Sequence, residues 1–297
     1  HYPIGIDLLA HRVHVFMEKP LAASAAAAGE LVDAARRNRL VLQVGHIERF
    51  NPAFTAAACD LRTPKYIEAV RAGPFTFRST DVGVVLDLMI HDLDLMLSLV
   101  RSEVRRVEAL GISVLGGHED VANARIEFCS GCVATLSASR VSYDAIRRMH
   151  VWSPRAFASI DFAACKATIV RPSETLLARR LHLDSLDADQ LEHYRTHLAE
   201  EHLPREEIQP KSVDALALEL ADFLQAIRTR RPPRVTGEHG REAVALAEQI
   251  LERIHAHAWD ATVDGPVGPM ATPHPTPIPT PHWQMAAASL IRRREAG

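Results

Sequence analysis

The chain has 297 residues, 47% of them hydrophobic and 24% charged, which is the balance of an ordinary soluble globular protein with enough apolar surface for a sizeable core. A formal net charge of −3 provides no general attraction to phosphate backbones or anionic membranes, so nucleic acid is not expected as a partner, and no apolar run approaches the roughly 20 residues that cross a bilayer. Four cysteines are too few for a disulfide framework at this length, and no basic region with an apolar signal core opens the chain; a reducing, cytoplasmic setting is expected.

Along the chain, Ile4, Ile6, Leu8 and Leu9 fall near a helical stripe and lead into a short buried strand at Val13 to Met17. Ser24 is placed to cap an alanine-rich helix from Ala25 to Arg37, whose basic end suits the negative pole of the helix. Leu40 to Val44 reads as a second strand. Helix, strand, helix, strand with compact links is the rhythm of a doubly wound parallel sheet. Two strands alone leave faces and edges uncovered, and the chain opens at His1, so further elements of this sheet are expected upstream.

After Gly45 the pattern changes. A helix is predicted over Pro52 to Leu61, a strand over Tyr66 to Arg71, and a strongly apolar helix from about Val85 to Val100. Strand-like runs follow at Val104 to Val114, Val121 to Phe128, Cys132 to Val141, Arg148 to Trp152 and Ala158 to Val170, separated by Gly, Ser or Pro, as in a largely antiparallel sheet. Residues 184–211 are charged, helix-prone and poorly patterned. Val213 to Arg230 and Glu238 to Trp259 read as amphipathic helices covering the edge of this second domain. The expected organisation is therefore residues 1–46 as the end of one domain, residues 47–262 as an α+β domain, and residues 263–297 as a proline-rich, disordered tail.

Three segments carry candidate chemistry. Glu18-Lys19-Pro20 follows directly on the first strand, which puts Lys19 at the carboxyl end of a parallel strand, where open α/β sheets bind ligands. A lysine there can stabilise charge as an alcohol becomes a ketone; a solvated turn lysine is the alternative. Asp87 and His91 stand four apart in an apolar helix and share one face, so the carboxylate can fix the tautomer of an imidazole acting as general base. A helix-terminal histidine satisfied by its neighbours is the alternative. Arg49 and Asn51, at the junction of the two domains, can hydrogen-bond a polyhydroxylated or anionic substrate, while Asn51 before Pro52 also has the form of a helix N-cap. Cys129-Ser130-Gly131-Cys132 has no second ligand pair at metal spacing and reads as a hairpin turn, so no metal site is expected.

In this order, His1, Glu18-Lys19-Pro20, Arg49-Phe50-Asn51-Pro52, the Asp87-to-His91 helix and the Val235-to-Ala243 turn resemble the Gfo/Idh/MocA family of oxidoreductases over about residues 1 to 260. The resemblance implies a Rossmann domain for NAD or NADP, of which residues 1–46 are the C-terminal part, followed by the family's α+β domain with an open, mainly antiparallel sheet. It also implies homo-oligomers, dimers or tetramers, packed through that sheet. Lys19, His91 and Asp87 take the catalytic roles; His1, Glu18, Lys19 and Pro20 border the cofactor; Arg49, Asn51 and His91 contact substrate. The segments VGHIERFNPAF and DVGVVLDLMIHDLDLM look like bacterial UDP-N-acetylglucosamine 3-dehydrogenases, which implies a nucleotide sugar oxidised at C3. A dehydrogenase of inositol or a free sugar, or a non-catalytic binding protein keeping the sheet as an interaction surface, are the alternatives. Met89 stands where many relatives carry glycine. No G-x-G-x-x-G occurs anywhere in the sequence; the family places that loop before the position of His1, and an inactive fragment is expected without it.

Overall fold

The computed structural model describes residues 1–77, 80–210, 213–260, 262 and 264–271. The first 46 residues form α1 (Tyr2–Ala10), β1 (Val15–Glu18), α2 (Ala25–Asn38) and β2 (Leu42–Gly45), with the two strands paired in parallel. The Ser24 hydroxyl accepts from the Ala27 amide and starts α2 where the sequence places it. Leu9, Val15, Leu31, Val32 and Val44 close a small core between helices and strands.

A 3₁₀ turn (Ile47–Phe50) leads into α3 (Pro52–Ala57), capped by Asn51 and shorter than predicted. Beyond β3 (Tyr66–Ala72), the predicted single helix divides into a π-helical turn (Val85–Met89) and α4 (Ile90–Val100). The break sits in the Asp87-to-His91 segment, and π turns occur mostly at functional sites.

Strands β4 (Val104–Ile112), β5 (Val121–Phe128), β6 (Val133–Ser139), β7 (Ile146–Ser153), β8 (Ala156–Asp161) and β9 (Lys166–Val170) follow. The run predicted as one strand over 158–170 is two. The Asp161 carboxylate accepts from the Ala164 amide and Cys165 takes φ +50°, which turns the chain within the apolar run. Gly131, at φ +80°, and the bond from the Phe128 amide to the Cys132 carbonyl make the β5–β6 hairpin expected from the Ser-Gly pair between two apolar runs. After α5 (Glu174–Leu177) and α6 (Ala188–His202), an exposed charged helix, β10 (Arg205–Ile208) completes an eight-stranded sheet ordered β10-β9-β8-β7-β3-β6-β5-β4. Only β3 and β6 pair in parallel; all other neighbours are antiparallel. One sheet face packs with α4 on the large core of Ile67, Leu93, Met96, Phe128 and Ile169, while the other leaves Tyr66, Trp152 and Phe157 partly exposed and in ring contact.

The last helices do more than cover the edge of this second domain. Thr236 caps α8 (Gly237–Ala256), and that helix packs on α2, α4 and β4 together, while α7 (Ala215–Thr229) returns to the first region. Phe223 meets Phe16, the Gln43 amide donates to the Glu219 carbonyl, and the Val44 amide donates to the Val235 carbonyl on the free edge of β2. A Cβ at Gly240 would stand 2.6 Å from the Val44 side chain, so the absence of a side chain sets how closely α8 approaches the parallel strands. The expected boundary at residue 46 is thus a boundary in sequence; residues 215–256 join both regions. Nor is the proline-rich segment free from its start: the Ser113 amide donates to the Pro269 carbonyl, and the Trp259 indole to Gly268. The rest of the predicted tail lies outside the described residues.

Candidate active site

Two parallel strands end at Glu18 and Gly45, and the residues that follow them meet the start of α4. Lys19 is joined to Pro20 by a cis peptide, and the His1 imidazole lies 2.7 Å, through Nδ1, from the Pro20 carbonyl. Glu18 folds over the end of β2: a Cβ at Gly45 would sit 2.7 Å from the Glu18 carboxylate and 3.2 Å from its Cα. All four residues predicted to border the cofactor therefore gather at one strand end.

Lys19 Nζ donates to the Asp87 carbonyl at 2.6 Å and to Asp87 Oδ1 at 3.0 Å, with both side chains mostly buried. The π turn presents Asp87 to Lys19 rather than to His91. No hydrogen bond joins Asp87 to His91 among the described residues, so the predicted tautomer-fixing contact is replaced by a Lys19–Asp87 pair. An ammonium has three donors, and two bonds to Asp87 leave one for a ligand.

The His91 side chain is half-buried, and its buried Nδ1 has no hydrogen-bond partner. Burial, with the positive charges of Arg71 and Lys19 nearby, holds its pKa well below the usual histidine range. His46 lies edge-on to it, ring centroids 6.5 Å apart, with both nitrogens buried and unpartnered; burial lowers its pKa as well, against the opposing effect of Asp94. Burial thus favours the neutral form of both rings.

Behind this pair lies a charged network that holds α4 to the sheet. Arg71 donates to both carboxylate oxygens of Asp92, at 3.0 and 2.9 Å, and to Glu48 at 2.9 Å, all three residues being buried. Asn51 donates to Glu48 and to the Phe162 carbonyl and accepts from the Ala53 amide, so its side chain serves as cap and brace. Arg49 stands with Nε 3.9 Å from Asp94 and donates to the Arg234 carbonyl. Of the predicted substrate contacts, His91 lies at the strand ends, whereas Arg49 and Asn51 are engaged behind them.

Sequence reasoning passed over His46, Arg71 and Glu119. Arg71 had a signal: it shares the inward face of β3 with Ile67 and Ala69, where an arginine requires buried partners. Glu119, whose carboxylate accepts from the Val85 amide at the start of the π turn, lies in a Gly/His/Asp loop with no periodicity to mark it.

A strand-end lysine, an imidazole with an unpartnered nitrogen and a parallel sheet with a following open antiparallel sheet define an oxidoreductase of the dinucleotide-dependent class. The residues suit the reacting end of such a cofactor, since the partnerless nitrogens of His46 and His91 adjoin the lysine at the carboxyl edge; none is assigned to its pyrophosphate. Residues 1–46 match the profile of the oxidoreductase family with an NAD-binding Rossmann fold, and residues 54–156 that of the GFO/IDH/MocA C-terminal domain. UDP-N-acetylglucosamine 3-dehydrogenase from Acidithiobacillus ferrooxidans is 34% identical over 257 residues, covering 86% of this chain and 76% of that protein. A solved structure of that enzyme superposes with a TM-score of 0.73 at 32% identity, covering 85% of this chain and 74% of the other. Myo-inositol 2-dehydrogenase from Thermotoga maritima is 25% identical over 281 residues, covering 85% of this chain and 74% of the relative. The chain belongs to the Gfo/Idh/MocA family of NAD(P)-dependent oxidoreductases acting on CH–OH groups. Among its described residues, no helix is long and apolar enough to cross a membrane.

Proposed function

We propose that the protein oxidises a secondary hydroxyl of a nucleotide sugar, with UDP-N-acetylglucosamine at C3 as the substrate best supported. The observation that carries the chemistry is the Lys19–Asp87 pair set beside the half-buried imidazole of His91 at the end of β1. His91 takes the hydroxyl proton: burial favours its neutral form, and its Nδ1 has no partner. Lys19 uses its remaining N–H to bind the same oxygen and stabilise negative charge as the carbonyl forms. Asp87 fixes the ammonium through two bonds and is a positioning residue. Bound NAD(P) supplies the hydride acceptor. His1 and Pro20, joined by their contact, and Glu18 shape the strand end against it.

The similarity to the Acidithiobacillus enzyme supports the nucleotide sugar, and the weaker similarity to the inositol dehydrogenase makes a cyclitol the competing substrate. Reduction of NAD and of NADP is followed with UDP-N-acetylglucosamine and with myo-inositol. Turnover of the nucleotide sugar at higher kcat/KM is expected, and the reverse preference overturns the assignment. The partly exposed aromatic face of Tyr66, Trp152 and Phe157 supports a homo-oligomer packed through the open sheet. Sedimentation of Trp152→Glu beside the parent chain tests this: a shift toward monomer is expected, and an unchanged assembly removes that face from the interface.

A further inference from the structure

A cavity of about 810 Å³ opens between α3, the segment that follows it and the C-terminal end of α4. Its composition differs from that of the candidate active site. Arg49, Arg62, Arg101 and Arg234 line it, and no aspartate or glutamate does. Ala58 and Leu99, both partly exposed, supply apolar wall. Among the described residues, no carboxylate forms an ion pair with the guanidinium of Arg62, Arg101 or Arg234; Asp222 accepts from the Arg234 backbone amide at 2.7 Å, and Asp94 stands 3.9 Å from Arg49.

Two of these cations are held side by side by the backbone. Arg49 Nη2 donates to the Arg234 carbonyl at 3.3 Å, and Arg234 Nη1 donates to the Arg49 carbonyl at 3.2 Å. The Arg234 guanidinium also stacks over Phe50, 4.7 Å from the ring centroid, and so has little freedom to move away. The Arg49 side chain is nine-tenths buried, yet its Nη1 has no hydrogen-bond partner. A buried guanidinium nitrogen without an acceptor, next to a second fixed guanidinium, is an unfavourable arrangement that an anion relieves by accepting from both. Ser98 and Thr55 add hydroxyls to the wall.

We propose that this cavity binds a phosphorylated small molecule with an apolar or aromatic part, the chemistry of a nucleotide, at a site separate from Lys19 and His91. Phosphate oxygens meet the Arg49 and Arg234 forks, with Arg62 and Arg101 at the rim, and the apolar part lies against Ala58 and Leu99. The site stands whether or not the chain acts on a nucleotide sugar, because none of its residues belongs to the reacting group.

Cys59 is a free, exposed thiol that lines the same cavity, whereas Cys129, also free and exposed, does not line it. Alkylation of each by iodoacetamide is therefore a local readout, followed by peptide mass spectrometry with ADP or inorganic pyrophosphate present. ADP is expected to slow Cys59 alkylation at a concentration about tenfold lower than pyrophosphate does, as befits added apolar contact, and to leave Cys129 unchanged. Arg62→Ala with Arg101→Asn should abolish the protection; asparagine suits the left-handed backbone of Arg101 at φ +47°, so the helix end is preserved. An unchanged Cys59 rate at millimolar ADP overturns the proposal, as does equal protection by pyrophosphate. Protection that survives the double substitution, or that disappears in Lys19→Ala, places the anion elsewhere and also overturns it.

Discussion

The two regions of the molecule reach stability by different routes. The eight-stranded sheet buries one face against α4 and α8 and carries its own large core, whereas the parallel pair β1–β2 has a small core that distant residues complete: Val235 on the β2 edge and Phe223 against Phe16. The outer edge of β2 is covered by chain far removed in sequence, at Val235 and Thr236. The residues proposed to react sit on the seam, Lys19 from the smaller region and Asp87 and His91 from the larger, so their spacing depends on how firmly the two are held together.

The strongest test of that seam is the buried network behind it. Arg71→Ala leaves Asp92 and Glu48 as buried, unpaired carboxylates and should lower stability by about 3–5 kcal/mol, read from the urea midpoint. A loss below about 1 kcal/mol would mean that α4 is held by apolar packing alone. His91→Ala should reduce kcat by roughly 10²- to 10⁴-fold in protein that circular dichroism shows to be folded; an unchanged rate removes the proton acceptor from the proposed reaction. The acidic limb of the kcat/KM profile should also lie below the ordinary histidine range, because burial favours the neutral ring.

Smaller effects resolve the joint itself. Gly240→Ala pushes a methyl group to within 2.6 Å of Val44 and should cost about 1–3 kcal/mol, and a neutral result would show that α8 can move away from β2 freely. Glu219, buried on α7 with Oε1 unpartnered, has its pKa raised from 4.5 to about 8 by burial and by the nearby charges of Glu18, Asp222 and Asp94. The folded state therefore holds a proton that the unfolded state releases, and stability should decline as pH rises from about 4.5 through about 8. Glu219→Gln should flatten that decline and be the more stable form above it; parallel pH profiles of the two proteins would show that the carboxyl is not protonated in the folded state. Asn51→Ala, which removes a cap and a brace, should cost about 1 kcal/mol in the same denaturation assay.

Much of the fold was legible because local patterns carry it. Ser24 and Asn51 cap where their side chains and following residues predict, the alternation in β5 and β6 marks one covered face, and the Gly131 turn follows from its setting between apolar runs. The division of the 85–100 helix was not legible, since a π turn leaves the apolar periodicity almost intact while changing which groups Asp87 faces. The strand break at 162–165 was hidden for a related reason: the residues of the turn are themselves apolar, and only Asp161 marks it.

By itself the sequence determined the family, the two kinds of sheet and the residues Lys19, Asp87 and His91, because each depends on short spacings or on a motif order that survives in one dimension. Tertiary structure alone decided that Asp87 pairs with Lys19, that Arg49 turns toward Arg234 and Asp94, and that α7 and α8 complete the parallel pair. Those contacts span 45 to 207 positions, as with Arg49–Asp94 and Phe16–Phe223, and at such separations burial and charge pairing, rather than local propensity, choose the partner.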